Sequence, residues 1–128
     1  MISLKGSDFY SMHLHGHDFA LLGQGPGTFS AADDTAGLNF DNPTRRDTAM
    51  LIENGWTAIA FKTDNPGAWL LHCHIGWHLG GGLSIQFIER QSEILDTLKI
   101  GPGFKQQCDK FAAYASANPF YKKSDSGL

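Results

Sequence analysis

At 128 residues the chain is long enough for one domain around one hydrophobic core. Apolar residues make up 41%, which excludes disorder as the default state, and the net charge of -3 favours neither nucleic acid nor an anionic membrane as a partner, since both select basic surfaces. Fifteen glycines and nine phenylalanines suit strands and turns better than a helical bundle, and no segment approaches the roughly 20 apolar residues of a membrane span.

The first residues, Met1 to Ser11, hold no apolar core of the signal-peptide kind. Met12 to Leu22 reads as one strand, with His13, His15, His17, Phe19 and Leu21 on a single face. Gly23 to Gly27 breaks it, and Thr28 to Pro43 reads as a long loop rich in Asp, Asn, Gly and Ala. Arg46 to Glu53 is a second strand, and the Glu53-Asn54-Gly55 turn leads into a third, Trp56 to Thr63. After the Asp64-Asn65-Pro66-Gly67 turn, Ala68 to Cys73 is a fourth strand. His74 to Gly82 reads as irregular, and Leu83, Ile85 and Phe87 alternate in a fifth strand. Beyond Arg90, short helices are expected over Glu93 to Lys99 and Gln106 to Ala117. Short strands at hairpin spacing indicate a mainly β, antiparallel sandwich. Five strands leave it incomplete, and a missing N-terminal portion would supply the rest.

All six histidines fall in two clusters: His13, His15 and His17, then His72, His74 and His78. A lone histidine is ordinarily a hydrogen-bonded core or surface residue, but that account is poor for three in alternation. If Leu70 to His74 is extended, Cys73 faces one way and His72 and His74 the other. One segment then ligates two metal centres joined through the Cys73 backbone. His78 can loop back to the Cys73 side. Thiolate with imidazole is the ligand set of a blue-copper electron-transfer site, which also needs a second histidine and a weak axial position. Leu83 is the axial candidate and cannot ligate; such a site favours the cuprous state and a raised potential. His13 and His15 would join His72 and His74 around the other centre. Zinc competes, but it prefers a closed tetrahedral set, does no redox work and gives no reason for a cysteine between two histidines. His17 is expected to hydrogen-bond or pack beside the cluster, with Asp18 as its candidate partner. The two cysteines, Cys73 and Cys108, could form one disulfide; thiolate ligation by Cys73 explains more and leaves Cys108 without a partner in this chain.

These motifs resemble the C-terminal copper blocks of laccases and related multicopper oxidases, of the ascomycete type. His13-Leu14-His15-Gly16-His17 is similar to the H-x-x-H-x-H block, and His72 to Leu83 to the H-C-H-x3-H-x4-[LMF] block. The likeness runs from about Met12 to Arg90, and the ending Asp125-Ser126-Gly127-Leu128 is similar to the family's C-terminal plug. The resemblance implies a cupredoxin-like (plastocyanin-like) sandwich with short C-terminal helices. It implies Cys73 and His78 as type 1 copper ligands with Leu83 axial, His13 as a type 2 ligand, and His15, His72 and His74 as type 3 ligands. It implies that Cys108 pairs with an N-terminal domain. The division it suggests is an atypical N-terminus over 1–11, a copper-bearing domain over 12–90 and a helical extension with tail over 91–128.

The chain departs from the pattern at Tyr10, where the family has its other type 1 histidine; a phenol is a poor substitute for imidazole. The H-x-H motifs of the first family domain are also absent from the sequence. The expectation is therefore a piece of a longer protein, with Met1 to Ser11 foreign to it and the N-terminal cupredoxin domains as its partners. The parent protein would be a secreted oxidoreductase, oxidising phenolic or aromatic amine donors and reducing dioxygen to water. The chain alone would lack activity. The alternative is a non-catalytic copper-binding cupredoxin fragment or a degenerate laccase paralogue.

Overall fold

Alternation of apolar and polar residues builds two antiparallel sheets, seen in a computed structural model whose described residues are 1–118. In chain order the strands are β1 (Ile2–Gly6), β2 (Tyr10–Leu14), β3 (Phe19–Pro26), β4 (Thr44–Arg46), β5 (Thr48–Leu51), β6 (Gly55–Ala60), β7 (Gly67–Cys73) and β8 (Ser84–Glu89). One sheet has the order β1-β6-β3-β4 and the other β5-β2-β7-β8. The helices are α1 (Gly76–Gly80), α2 (Ile94–Thr97) and α3 (Gly103–Ala117). The fold is the mainly β sandwich expected. Asp125 to Leu128 lies outside the described residues.

The sheets meet over Met12, Leu14, Phe19, Leu51, Ile59, Leu71 and Cys73, with a second cluster of Leu22, Leu38, Trp56 and Ala58. In β2 the inward residues are Met12 and Leu14, so His13 takes the outer face by strand parity. The β2–β7 ladder sets Met12 opposite Cys73, His13 opposite His72 and Leu14 opposite Leu71. Directly opposed residues share a face, so this register places Cys73 in the core and His72 beside His13 outside it.

Four expectations need correction. Met12 to Leu22 is not one strand. Gly16 has φ +71°, a left-handed conformation that ends β2, and the chain crosses to the other sheet before resuming as β3. The shared face of His13 through Leu21 therefore breaks at His17. Secondly, the described residues hold eight strands rather than five, because β1 pairs with β6, β4 pairs with β3, and the first strand is two. Thirdly, the segment after His74 is not wholly irregular, since Gly76–Gly80 makes a short helix. Finally, α3 starts at Gly103, with Pro102 already in helical conformation at φ -61° before it.

Candidate metal centre

Cys73 ends β7 in the core at 0% exposure. Backbone bonds fold the following loop back upon it. Cys73 N–H donates to the Leu83 carbonyl at 3.1 Å, and Leu83 N–H donates to the His78 carbonyl at 3.0 Å. The loop thus returns His78, on α1, to the thiol, with Nδ1 3.5 Å from Sγ. Leu83 is half-buried against the same core. Tyr10 stands edge-on to His78, ring centroids 5.3 Å apart. A cavity of about 280 Å³ has Tyr10, Met12, Leu71 and Leu83 in its wall. Among these only a thioether and a phenol could donate to a metal beside the Cys73–His78 pair.

On the outer face of the same sheet, His13, His15 and His72 bring one ring nitrogen each to within 4.8 Å of one another. The other nitrogen of two of these rings is already committed. His13 Nδ1 donates to the Asp47 carbonyl at 2.9 Å and lies 3.0 Å from the Thr48 hydroxyl. His72 Nδ1 donates to the Cys73 carbonyl at 2.9 Å. A carbonyl only accepts, so both rings carry the proton on Nδ1 and leave the Nε2 lone pair for a ligand. His15 Nε2 is 3.0 Å from His72 Nε2 and donates to it, so one proton sits where a metal ion would bind. His74 joins from past the strand end, its ring 5.7 Å from that of His13 and 5.8 Å from that of His72, and its N–H donates to the Ser11 carbonyl. The crowded rings lower the His15 pKa below 6.5, first through loss of solvation and then through repulsion by His13, His72 and His74. With the Nε2 lone pairs of His13 and His72 turned inward and His15 Nε2 beside them, the set fits a metal that prefers nitrogen donors and displaces that proton.

His17 does not join this cluster. Its ring is buried between Phe61 and Trp69, and its Nε2 meets Glu89 Oε1 at 2.9 Å. Asp18 is exposed, and its carbonyl accepts from Arg45. Both cysteines are free, which excludes the intrachain disulfide; Cys108 is exposed on α3. Sequence reasoning missed Asp47, Thr48 and Glu89. Glu89 left one trace: it shares the inward parity of Phe87, where a carboxylate is out of place.

Residues 2–93 match the profile of the multicopper oxidase family, so the likeness begins upstream of Met12 and takes in β1. A laccase of Neurospora crassa is 48% identical over 93% of this chain and 21% of its own length. Laccase-1 of Melanocarpus albomyces is 49% identical over the same shares. The crystal structure of the laccase from Botrytis aclada superposes with a TM-score of 0.76 at 43% identity, covering 94% of this chain and 22% of that one. The chain spans about a fifth of the length of these curated relatives. By the extent of the family match and these identities, it belongs to the multicopper oxidases.

Proposed function

We propose that this chain is the copper-binding C-terminal part of a secreted, fungal-type laccase-like oxidase. In that reading residues 12–90 are the copper-bearing domain and 91–128 an extension that packs in the longer protein. Copper, when bound, supplies one-electron chemistry that couples oxidation of phenolic or aromatic amine donors to four-electron reduction of dioxygen to water.

The chain's own residues do the rest. Cys73 Sγ and His78 Nδ1 would hold one ion, and the Leu83 side chain, packed against the same core, offers it no donor atom. His78 is nearer solvent than Cys73 and presents the edge that an aromatic donor would approach. His13, His15, His72 and His74 would hold copper on the opposite face of the sheet, as the type 2 and type 3 ligands of the reading. The neighbouring domains of the longer protein complete that cluster. The observation that carries this reading is the register at the end of β7. Adjacent residues, Cys73 and His72, face opposite sides of one sheet and each meets a separate imidazole group.

Copper titration of the purified chain tests it. Two independent classes of site are expected, one lost with Cys73→Ser and the other with His15→Ala. Loss of all binding in either variant would reduce the two centres to one and sink the reading.

A second reading has its own observation. The ring beside His78 is that of Tyr10, not an imidazole. This favours a non-catalytic copper-binding fragment or degenerate paralogue, with a thiolate site short of one nitrogen. The chain alone is expected to consume no oxygen with a phenol present, and Tyr10→His is expected to intensify the visible thiolate-to-copper band. Turnover by the unaltered chain would dismiss the second reading.

A further inference from the structure

His15 lies one residue beyond the end of β2, just before the left-handed Gly16, and is itself exposed. A side chain in such a place ordinarily samples several rotamers. Three hydrogen bonds restrain its backbone. His15 N–H donates to the Leu70 carbonyl at 2.8 Å. The Asn65 amide donates to the Gly16 carbonyl at 2.9 Å. His17 Nδ1 donates to the His15 carbonyl at 2.9 Å.

The third bond leads to a group that the copper reading leaves unused. The His17 and Glu89 side chains are only 5% and 3% exposed, and they meet at 2.9 Å. The contact is off the line of a directional hydrogen bond, and neither Glu89 oxygen takes another partner among the described residues. Since the His15 carbonyl can only accept, His17 Nδ1 carries a proton. His17 Nε2 is thereby left facing Glu89 Oε1, the one polar atom set against it. The Phe61 and Trp69 rings wall it in. Glu89 is fixed by the β7–β8 ladder, opposite Gly67, at the far end from the His72–Ser84 pair.

We propose that His17 and Glu89 form a buried positioning pair: Glu89 holds the His17 ring, His17 holds the His15 carbonyl, and the His15 imidazole is thereby set against His72. The proposal rests on reading His13, His15 and His72 as a metal cluster. It deepens that reading by giving His17, the third histidine of the 13–17 motif, a task other than ligation. Buried polar pairs contribute little to stability compared with apolar residues of the same volume. Their value lies in fixed orientation, which a flexible ligand arm needs.

That contrast supplies the experiment. In the full 128-residue chain without metal, proton NMR reads the through-space contact between the His15 and His72 rings. The double variant His17→Phe/Glu89→Leu keeps the packing and removes the pair. It is expected to lose the ring contact while its thermal midpoint stays level or rises. In a Cys73→Ser background, copper affinity of the histidine cluster is expected to fall roughly 10–100-fold. Glu89→Gln, whose amide can still donate to Nε2, is expected to retain the ring contact and most of the affinity. Retention of the contact in the double variant overturns the proposal. So does loss of the contact together with stability, or failure to fold, because either makes the pair a prop of the fold. If the unaltered chain binds no copper at the cluster, the metal reading fails, and the metal-free ring contact still decides the pair.

Discussion

Gly16 has φ +71°, and a β-carbon placed there would stand 2.5 Å from Cε3 of Trp69. Both facts follow from one requirement. The chain must leave the sheet directly after His15, and Trp69 packs over the departing backbone while its indole N–H donates to the Asn65 carbonyl. Any side chain at position 16 meets a left-handed penalty of about 1–3 kcal/mol, and an aromatic ring besides. Gly16→Ala is expected to lower unfolding free energy by at least about 2 kcal/mol in urea titration. It is also expected to disturb the His15–His72 contact, because the displaced backbone carries His15 with it. A change below about 0.5 kcal/mol would contradict both the left-handed penalty and the clash with Trp69.

Among the elements, β1 changes the picture most. Its residues Ile2 and Leu4 pack half-buried against the core, and its backbone covers the edge of β6 from Gly55 to Ile59. Removing residues 1–6 uncovers that edge and two apolar side chains. A loss of about 2 kcal/mol is expected in denaturant unfolding, with aggregation through the open edge. An unchanged midpoint would make β1 an ornament. Much of the sandwich was legible in the sequence, because β6, β7 and β8 are short apolar runs and the turns Glu53-Asn54-Gly55 and Asp64-Asn65-Pro66-Gly67 set off the first two. The break at Gly16 was not, since the alternation of His13 through Leu21 runs on across it, and a local pattern carries no information about which sheet a strand joins. The same distinction runs through the candidate site. The Cys73–His78 approach was legible because five residues and a tight loop decide it. The opposition of His13 and His72 followed from two histidine-bearing strands with one outward face each. The partner of His17 was not legible: the inward parity of Glu89 marks an odd carboxylate, but nothing local says which distant residue it meets.

At the scale of the whole molecule, acid acts through the histidine cluster. The His15 pKa is lowered in the fold relative to its ordinary 6.5. The folded chain therefore binds fewer protons at this group than the unfolded chain, and stability rises with pH. Full stability is expected above 6.5, with progressive loss as pH falls below that value and a plateau once the folded pKa is passed. Unfolding of the metal-free chain followed from pH 8 downward (roughly the neutral range of histidine) checks this; stability that climbs on acidification through that window would contradict it. The β2–β7 ladder has a further consequence, for the order of events in folding. His15 and His72 are 57 residues apart in sequence, so their nitrogens meet only after distant strands have found their register. Such pairings close slowly, because the chain entropy of a long loop is lost before any contact repays it. Neither histidine arm alone can nucleate the cluster, and a metal captured early by one arm would hold the unfolded chain as well as the folded one, weakening its stabilising effect. A fully assembled cluster is thus a late product of folding, and only copper supplied after the β2–β7 register is set meets a chain whose topology is already complete.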